Sequence, residues 1–290
     1  MKSIGKQSFL TKLLLAITIL TATILIAVVV KEDYLSKSRN KVFREKYFPQ
    51  IEIFPETIPD KENVWVFIMA GQSNMAGRGH VEPNDTVPNF RILSINKKGN
   101  LIVAKEPLHF YEPSMTGLDC GLSFGKELLK HIPDSIYILL IPTAVGGSSI
   151  SQWINDSTFR NVTLFSNFRE KVEIGKKHGI IKGILWHQGE ADAKSTEIKI
   201  YDKQLEKLFS LFRNEINDRH LPIFIGELGS FSKTNENWQS INVKIRNYVK
   251  NDTNSYVIKT GDLFDKGDRV HFNSEGQRIM GQRFAEEFIK

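Results

Sequence analysis

The sequence predicts an α/β fold in which helices cover both faces of a parallel β-sheet. Five continuous apolar runs of strand length recur along the chain, as expected for strands that are buried on both faces. Helical patterns lie between these runs, and a regular alternation of strands and helices favours a parallel sheet. The apolar runs span residues 64–70, 135–141, 180–186, 222–227 and 255–259.

The predicted helices differ in how clearly the sequence marks them. The clearest one has apolar residues spaced i, i+3, i+4 and i+7, which places them on one face of a helix. These residues are Leu205, Leu208, Phe209, Phe212 and Ile216. The last helix is predicted to begin at Ser274, where Gln277 three residues later would complete a capping box. Weaker helical patterns cover residues 121–131, 166–178 and 237–250.

Composition excludes several classes of protein. The chain has 290 residues, of which 41% are apolar and 25% charged, as in globular domains. Its single cysteine excludes an intramolecular disulfide and a thiolate zinc cluster. The net charge is +6, but residues 1–30 hold three lysines and no acid, which leaves 36 basic against 33 acidic residues in the remainder. So small an excess, without a basic stripe interleaved with aromatic residues, predicts no nucleic-acid partner.

The N-terminal segment has the properties of a membrane anchor. Residues 13–30 carry no charge, and 18 helical residues at about 1.5 Å each cover roughly 27 Å, close to the hydrocarbon thickness of a bilayer. The lysines before this run predict a cytoplasmic N-terminus and a domain outside the cytoplasm. A cleaved signal peptide, which would secrete the domain, and a buried core helix are the alternatives. The length of the run and the lack of a small-x-small cleavage site favour the uncleaved signal anchor.

The chain therefore divides into three predicted parts. Residues 1–30 form the transmembrane anchor, residues 31–61 form a stalk or linker, and residues 62–290 form a single globular domain. The linker is rich in charged residues at first and is then interrupted by three prolines, which is typical of an extended connection.

A candidate nucleophile follows the first predicted strand. Parallel sheets carry their sites at the carboxyl ends of the strands, and here the sequence reads GQSNMAG from Gly71 to Gly77. Ser73, between glycine and amide side chains, is well placed as an exposed nucleophile. Gly71 permits a tight turn, and a helix starting near Ser73 would direct backbone N–H groups at the site. The alternative is that Ser73 is an ordinary helix N-cap.

Two further strand ends carry candidate groups. Gly146 and Gly147 follow the second run and would let backbone N–H groups approach a ligand, although a simple turn is the alternative. The third run is followed by the polar sequence HQGEAD. His187, Glu190 and Asp192 could be metal ligands, but no further histidine or cysteine has a matching spacing, so the sequence predicts no metal.

An acid and a histidine three residues apart, Asp268 and His271, precede the last predicted helix. Such a carboxylate can hold the imidazole in one tautomer and leave its other nitrogen free as a base. Alone this spacing is weak, because it arises easily by chance on a surface. Together, the four motifs supply a nucleophile, backbone donors, an amide donor and an acid–base pair, which are the parts of one reaction.

Four segments resemble, in order, the motif blocks of the sialate O-acetylesterase-like carbohydrate esterases, a family of the SGNH hydrolase superfamily. They read GQSNMAGRG, AVGGSSISQW, WHQGEADA and DRVHFNSEGQRIMG. The resemblance runs from about residue 65 to residue 288, nearly the whole predicted domain. It implies a three-layer α/β/α sandwich with a five-stranded parallel sheet. It also implies a serine esterase that removes acetyl groups from sugars without a metal or another cofactor.

The resemblance also implies roles for individual residues. Ser73 is the implied nucleophile, His271 the general base, and Asp268 the acid that orients it. The implied oxyanion donors are the backbone N–H of Ser73, the N–H of Gly147 or Gly146, and the side-chain amide of Gln188. The expected sugar contacts are Gln72, Asn74, Glu190 and Trp153. Structural support is the alternative for Glu190, and core packing is the alternative for Trp153.

The predicted function is that of a serine carbohydrate esterase that removes O-acetyl groups from a glycan through an acetyl-Ser intermediate. Its partner would be an O-acetylated carbohydrate, either sialate or another acetylated polysaccharide. The alternatives are an SGNH lipase or thioesterase, an acetyl-transfer enzyme acting on cell-surface glycans, and a catalytically silent carbohydrate-binding protein. The silent protein would be expected to lack a triad residue, whereas Ser73, Asp268 and His271 are all present.

Overall fold

The computed structural model describes residues 12–32, 35 and 52–290. The chain separates into two compact units, residues 1–50 and residues 51–290. Two of the lysines that predict the membrane orientation, Lys2 and Lys6, lie outside the described residues, as does most of the predicted linker. The boundary between linker and domain at residue 61 stays a prediction.

The first unit contains one long helix, α1 (Lys12–Glu32), which includes the whole predicted apolar run. By length and composition it is long and apolar enough to cross a membrane. Its hydroxyl groups are satisfied within the helix, because Thr18, Thr21 and Thr23 each donate to a backbone carbonyl three or four residues earlier. These bonds remove the cost of an unpaired hydroxyl in an apolar environment.

The second unit is built on a seven-stranded sheet with the strand order β3-β2-β4-β1-β7-β8-β9. Its strands are β1 (Val64–Gly71), β2 (Ile92–Ile95), β3 (Leu101–Val103), β4 (Tyr137–Pro142), β7 (Ile180–His187), β8 (Ile223–Gly226) and β9 (Ser255–Ile258). All neighbouring strands are parallel except the β2–β3 pair, which is antiparallel. A separate small hairpin consists of β5 (Thr158–Phe159) and β6 (Val162–Thr163).

The expectation of a five-stranded sheet is wrong in number. The five strands that the apolar runs predict lie side by side and are parallel. β2 adds a sixth parallel strand beside β4, and β3 pairs antiparallel with β2 at that edge. The apolar run of β2 is interrupted by Ser94, and β3 has only three residues, so neither strand gives a continuous apolar run like those that predict the other five. The antiparallel pairing needs no crossover helix, so the alternation of strands and helices did not reveal it.

Helices cover both faces of the sheet. They are α2 (Gly121–Leu128), α3 (Ile150–Ile154), α4 (Leu164–His178), α5 (Ser195–Ile198), α6 (Tyr201–Ile216), α7 (Asn235–Val249) and α8 (Ser274–Ile289), with 3-10 turns at Lys61–Asn63, Pro83–Thr86 and Glu190–Asp192. Successive residues of β1 point to opposite faces, and they divide accordingly between two buried apolar clusters. One cluster includes residues of α4, α6 and α7, and the other includes residues of α2 and α8. The result is a three-layer α/β/α sandwich.

The last helix begins where the sequence predicts, but its cap differs. Asn273 is the N-cap, and its side-chain oxygen accepts the backbone N–H of Gly276 at 2.7 Å. The predicted capping box of Ser274 and Gln277 is therefore wrong. Ser274 donates to the His80 carbonyl at 2.7 Å, and Gln277 donates to the Asn74 carbonyl at 2.9 Å. Both side chains tie α8 to the segment that carries the candidate nucleophile.

Candidate active site

Ser73 lies just beyond the carboxyl end of β1, where the chain turns sharply. Gly71 adopts a φ of +136°, and a Cβ there would lie 2.1 Å from the His187 carbonyl oxygen on neighbouring β7. Only glycine fits this position. The predicted helix starting near Ser73 is wrong, because a single turn, closed by a 2.8 Å bond from Ala76 N–H to the Gln72 carbonyl, carries this residue.

The structure brings Ser73, His271 and Asp268 together from distant parts of the chain. The Ser73 hydroxyl lies 3.0 Å from His271 Nε2, and His271 Nδ1 lies 2.7 Å from Asp268 Oδ2. The other oxygen of Asp268 accepts the backbone N–H groups of Val270 and His271 at 2.9 and 2.8 Å. The loop between β9 and α8 is thereby folded around its own carboxylate.

The charges around this chain of hydrogen bonds set the protonation states. Burial lowers the pKa of His271 below its ordinary value, and Lys266 and Arg78 act in the same direction against the opposing effect of Asp268. Although burial raises it, hydrogen bonds from His271 and Val270 hold the pKa of Asp268 below its usual range. A neutral imidazole beside an ionised carboxylate is the state in which histidine can act as a base.

Asn74 holds the histidine loop in place. Its side-chain oxygen accepts the backbone N–H of Phe272 at 3.1 Å, and its amide donates to the Val270 carbonyl at 3.1 Å and to Glu190 Oε1 at 2.6 Å. The prediction that Asn74 contacts the sugar is wrong, because the residue is fully buried and its amide already has protein partners. Glu190, whose side chain is only 5% exposed, is placed to support Asn74.

The two adjacent glycines after β4 have different roles in the structure. Gly146 donates its backbone N–H to Glu112 Oε2 at 2.6 Å, so the prediction of Gly146 as an oxyanion donor is not met. Gly147 adopts a φ of +80°, and within the described part of the chain its N–H has no protein acceptor. Of the two alternatives that the motif left open, the geometry favours Gly147.

The amide of Gln188 is engaged inside the protein. Its nitrogen lies 3.1 Å from the Ser148 carbonyl and 3.2 Å from Gln72 Oε1, and it also donates to Asp192. An oxyanion role for Gln188 would require one of these bonds to break. Gln72, predicted as a sugar contact, is nearly buried, and its oxygen also accepts the Ala191 N–H at 3.2 Å.

Trp153 is a core residue. It is fully buried, packs edge-to-face against Trp186 with ring centroids 5.6 Å apart, and donates its indole N–H to Ser148 Oγ at 2.9 Å. The prediction of Trp153 as a sugar contact is therefore wrong, and the alternative of core packing is confirmed. Since Ser148 Oγ also donates to the Val145 carbonyl at 2.8 Å, Trp153 helps to fix the glycine loop.

The candidate metal ligands after β7 do not form a metal site. His187 Nε2 lies 2.9 Å from the Glu227 carbonyl, and His187 Nδ1 lies 3.7 Å from Glu190 Oε1. Among residues 12–32, 35 and 52–290, no group of three or more His, Cys, Asp or Glu side chains is placed to hold a metal ion.

Sequence reasoning missed a buried ion-pair network beside the glycine loop. Glu112 Oε2 accepts Arg78 Nη2 at 2.8 Å, and Glu112 Oε1 accepts Arg160 Nη1. Although burial raises the pKa of Glu112, the two arginines and the Gly146 N–H hold it below its usual range. The three residues come from separate loops, and only Arg78 falls inside a motif, so no local pattern could have linked them.

Comparisons with known proteins assign the family. The model of the carbohydrate esterases described as sialic acid-specific acetylesterases matches residues 63–290. The chain belongs to this family. The probable carbohydrate esterase At4g34215 of Arabidopsis thaliana is 28% identical over 247 residues, which cover 77% of this chain and 90% of that protein.

Two solved structures are similar to this acetylesterase-family chain. The X-ray structure of the Arabidopsis thaliana protein AT4G34215 has a TM-score of 0.70 and 26% identity, and it covers 78% of this chain and 98% of its own. The crystal structure of NanS has a TM-score of 0.65 and 18% identity, with 80% and 98% covered, and it supports the fold alone. The four segments that resemble the motif blocks of the family lie at the carboxyl ends of β1, β4 and β7 and across the start of α8.

Proposed function

We propose that this chain is a serine acetylesterase that removes O-acetyl groups from a carbohydrate through an acetyl-Ser73 intermediate. The observation that carries the proposal is the continuous chain of hydrogen bonds from Ser73 Oγ through His271 to Asp268, with lengths of 3.0 and 2.7 Å. Membership of a carbohydrate acetylesterase family supports the substrate class.

In the first step, Ser73 Oγ attacks the carbonyl carbon of the acetyl group while His271 Nε2 takes the hydroxyl proton. The new C–O bond moves an electron pair onto the carbonyl oxygen, which becomes an oxyanion. Asp268 stays ionised, holds the imidazole through Nδ1 and stabilises its cationic form. The short carboxylate–imidazole contact supports this role.

The oxyanion would be received by the backbone N–H groups of Ser73 and Gly147. Neither group has a protein acceptor within the described residues. A single oxyanion donor contributes on the order of 2.7–4 kcal/mol to the barrier, so two preorganised donors are a large part of the catalysis. Glu112 supports this arrangement because it holds Gly146 and thereby fixes the backbone next to Gly147.

The intermediate then collapses and the sugar leaves. His271 gives its proton to the sugar oxygen, the bond between that oxygen and the acetyl carbon breaks, and the acetyl group stays on Ser73. Water repeats the cycle: His271 takes a proton from water as the water oxygen attacks the acetyl carbon. The bond between Ser73 Oγ and that carbon then breaks, His271 returns its proton to Ser73 Oγ, and acetic acid leaves and ionises to acetate.

We further infer that α1 holds the enzyme in a membrane with the catalytic domain outside the cytoplasm. The length and apolar composition of α1 support the membrane anchor, and the three lysines that precede the apolar run support the orientation. Fractionation of cells that express the full chain tests it. Recovery of the enzyme in the membrane fraction with α1 intact is expected, whereas a shortened protein in the medium would indicate cleavage and secretion.

The decisive experiment measures acetate release from an O-acetylated glycan before and after Ser73→Ala. We expect the variant to lose turnover while it remains folded. Ser240→Ala on α7 is a matched control, since this hydroxyl only donates to a carbonyl of its own helix. Turnover in Ser73→Ala equal to that of the unmodified chain would overturn the proposed function.

A further inference from the structure

Lys266 lies opposite His271, the proposed general base, in the loop between β9 and α8. The backbone N–H of Lys266 donates to the His271 carbonyl at 2.9 Å. The neighbouring pair, Asp265 and Phe272, forms an antiparallel bridge, and Phe272 is fully buried. Because side chains alternate between the two faces of such a pair, the side chains of Lys266 and His271 share the face away from the core.

The ammonium group of Lys266 lies between two segments of the candidate site. Nζ donates to the carbonyl of Arg78, in the segment that follows the nucleophile turn, at 3.2 Å. It also lies 3.6 Å from Asp268 Oδ2, the same oxygen that lies 2.7 Å from His271 Nδ1. These contacts hold a positive charge beside the acid–base pair.

This ion pair is partly open to water. The side chain of Lys266 is 26% exposed and that of Asp268 is 37% exposed. Ion pairs at such positions contribute little to folding stability. The field of the ammonium group nevertheless reaches charges a few ångströms away, so its effect should fall on the imidazole that Asp268 orients.

The charges around His271 compete. Burial is the main cause that lowers the pKa of His271, Asp268 raises it, and Lys266 and Arg78 lower it, with the larger effect from Lys266. Arg78 is paired with buried Glu112 at 2.8 Å, which compensates part of its charge. The other charged or titratable side chains on this loop and on the neighbouring end of β7 are Asp265, Arg269, Glu190 and His187.

We propose that Lys266 is a positioning residue that acts through its charge: held between the Arg78 carbonyl and Asp268, its ammonium group keeps His271 in the neutral form that accepts the Ser73 proton. This proposal rests on the serine esterase function proposed above. A cation near an imidazole disfavours the imidazolium form, so the base stays available in more acidic solution than it would without the lysine.

The test compares pH profiles of kcat/KM for the full-length chain and for Lys266→Met. The probe is para-nitrophenyl acetate, an acetyl ester that needs no sugar contact, and the rate of Ser73→Ala is subtracted. Methionine keeps the length of the side chain and removes its charge. We expect the midpoint of the profile to move to higher pH, which lowers kcat/KM about 3- to 10-fold on the acidic side and changes the alkaline plateau little.

Two further variants separate charge from structure. Lys266→Arg keeps the charge and should keep the midpoint. Lys244→Met is the matched control, because Lys244 on α7 is 25% exposed, donates to the Lys199 carbonyl at 3.1 Å and lies 3.1 Å from Asp202. It repeats the contacts of Lys266 away from the proposed reaction, and the midpoint of its variant should equal that of the unmodified chain.

A direct titration of His271 gives the same test without turnover. In the full-length chain with isotope-labelled histidine, the NMR signal that His271→Ala lacks belongs to His271. The pH at which this imidazole is half protonated should be higher in Lys266→Met than in the unmodified chain. The titration also decides the question if Lys266→Met is too slow to assay, and Lys266→Gln takes its place should the methionine variant not fold.

Two results would overturn the proposal for Lys266 while hydrolysis still depends on Ser73. One is a midpoint in Lys266→Met equal to that of the unmodified chain, including a loss of rate that is the same at every pH, as a purely structural role would give. The other is a midpoint in Lys266→Arg equal to that of Lys266→Met. If Ser73→Ala hydrolyses the ester as fast as the unmodified chain, the proposed function fails, and the proposal for Lys266 fails with it.

Discussion

Two carboxylates of the candidate site, Asp268 beside His271 and Glu112 beside Gly146, differ in their surroundings, and the difference separates a role in the reaction from a role in holding the loops. Asp268 is 37% exposed and orients one imidazole, whereas Glu112 is 4% exposed and binds two guanidinium groups and one backbone N–H. Water can reorganise around an exposed carboxylate as the charge on its histidine changes during a reaction. A buried carboxylate has to be compensated at all times, which suits it to holding a loop. Changes near Asp268 should therefore alter rates, and changes at Glu112 should alter stability.

The largest expected effect is the loss of kcat when His271, the histidine oriented by Asp268, is replaced. His271→Ala removes the group that accepts the Ser73 proton, and we expect kcat to fall by about 10⁴- to 10⁶-fold. The midpoint of urea unfolding should change little, because the imidazole is partly exposed and its bonds go to Asp268 of its own loop and to Ser73. His220→Ala, at an exposed position before β8, is the control for both measurements. A kcat within tenfold of the unmodified chain would contradict the base role.

Replacing the buried carboxylate, in Glu112→Gln, should mainly lower the free energy of unfolding. The change leaves Arg78 buried without a counter-ion, and breaking a buried pair in this way costs about 3–5 kcal/mol of the free energy of unfolding. Urea unfolding followed by circular dichroism measures it. Glu173→Gln removes an exposed pair with Lys176 and should cost less than about 1 kcal/mol. If Glu112→Gln and Glu173→Gln lowered the free energy of unfolding equally, the stabilising role assigned to buried Glu112 would be contradicted.

A smaller effect is expected in the dependence of kcat/KM on pH. The reaction needs neutral His271, so kcat/KM should rise with pH as the imidazole loses its proton. Because burial lowers the pKa of His271, the half-maximal rate should lie below about pH 6.5, the ordinary value. Asp268→Asn removes the group that raises this pKa, so its midpoint should move further down. A midpoint that moves up, or a flat profile, would count against this assignment.

The smallest effect is expected at Trp153, behind the glycine loop. Trp153→Phe keeps an aromatic ring but loses the indole bond to Ser148 and leaves a small cavity, so the free energy of unfolding should fall by about 1–2 kcal/mol. Because the side chain is fully buried, KM for an acetylated sugar should not change. A large rise in KM would instead indicate that Trp153 contacts the sugar.

The sequence could predict what depends on local spacing. Asp268 and His271 are three residues apart and meet within one turn, and Ser73 directly follows a strand whose apolar run is unmistakable. Each of the five predicted strands lies in an apolar run of five or more residues. β2 and β3 lack this signal, because Ser94 interrupts β2 and β3 has only three residues.

The sequence could not predict what depends on direction and distance. Asn74 and Trp153 lie inside family motifs, but only the fold shows that both side chains point into the protein. Gly146 and Gly147 are adjacent and chemically identical, and the fold distinguishes them by the bond from Gly146 to Glu112, 34 residues away, and by the φ of +80° at Gly147. The same holds for Arg160, which meets Glu112 across 48 residues.

The bonds that join Ser73 and Asn74 to the loop before α8 have a consequence for the order in which this protein becomes active. Ser73 and His271 are separated by 198 residues, and the sheet is complete at Ile258, before any residue of that loop. A ribosome that has synthesised all seven strands has therefore made the whole scaffold without a working catalyst. Under the proposed mechanism, ester hydrolysis begins only once the final loop and helix have been translated and have docked onto the nucleophile turn.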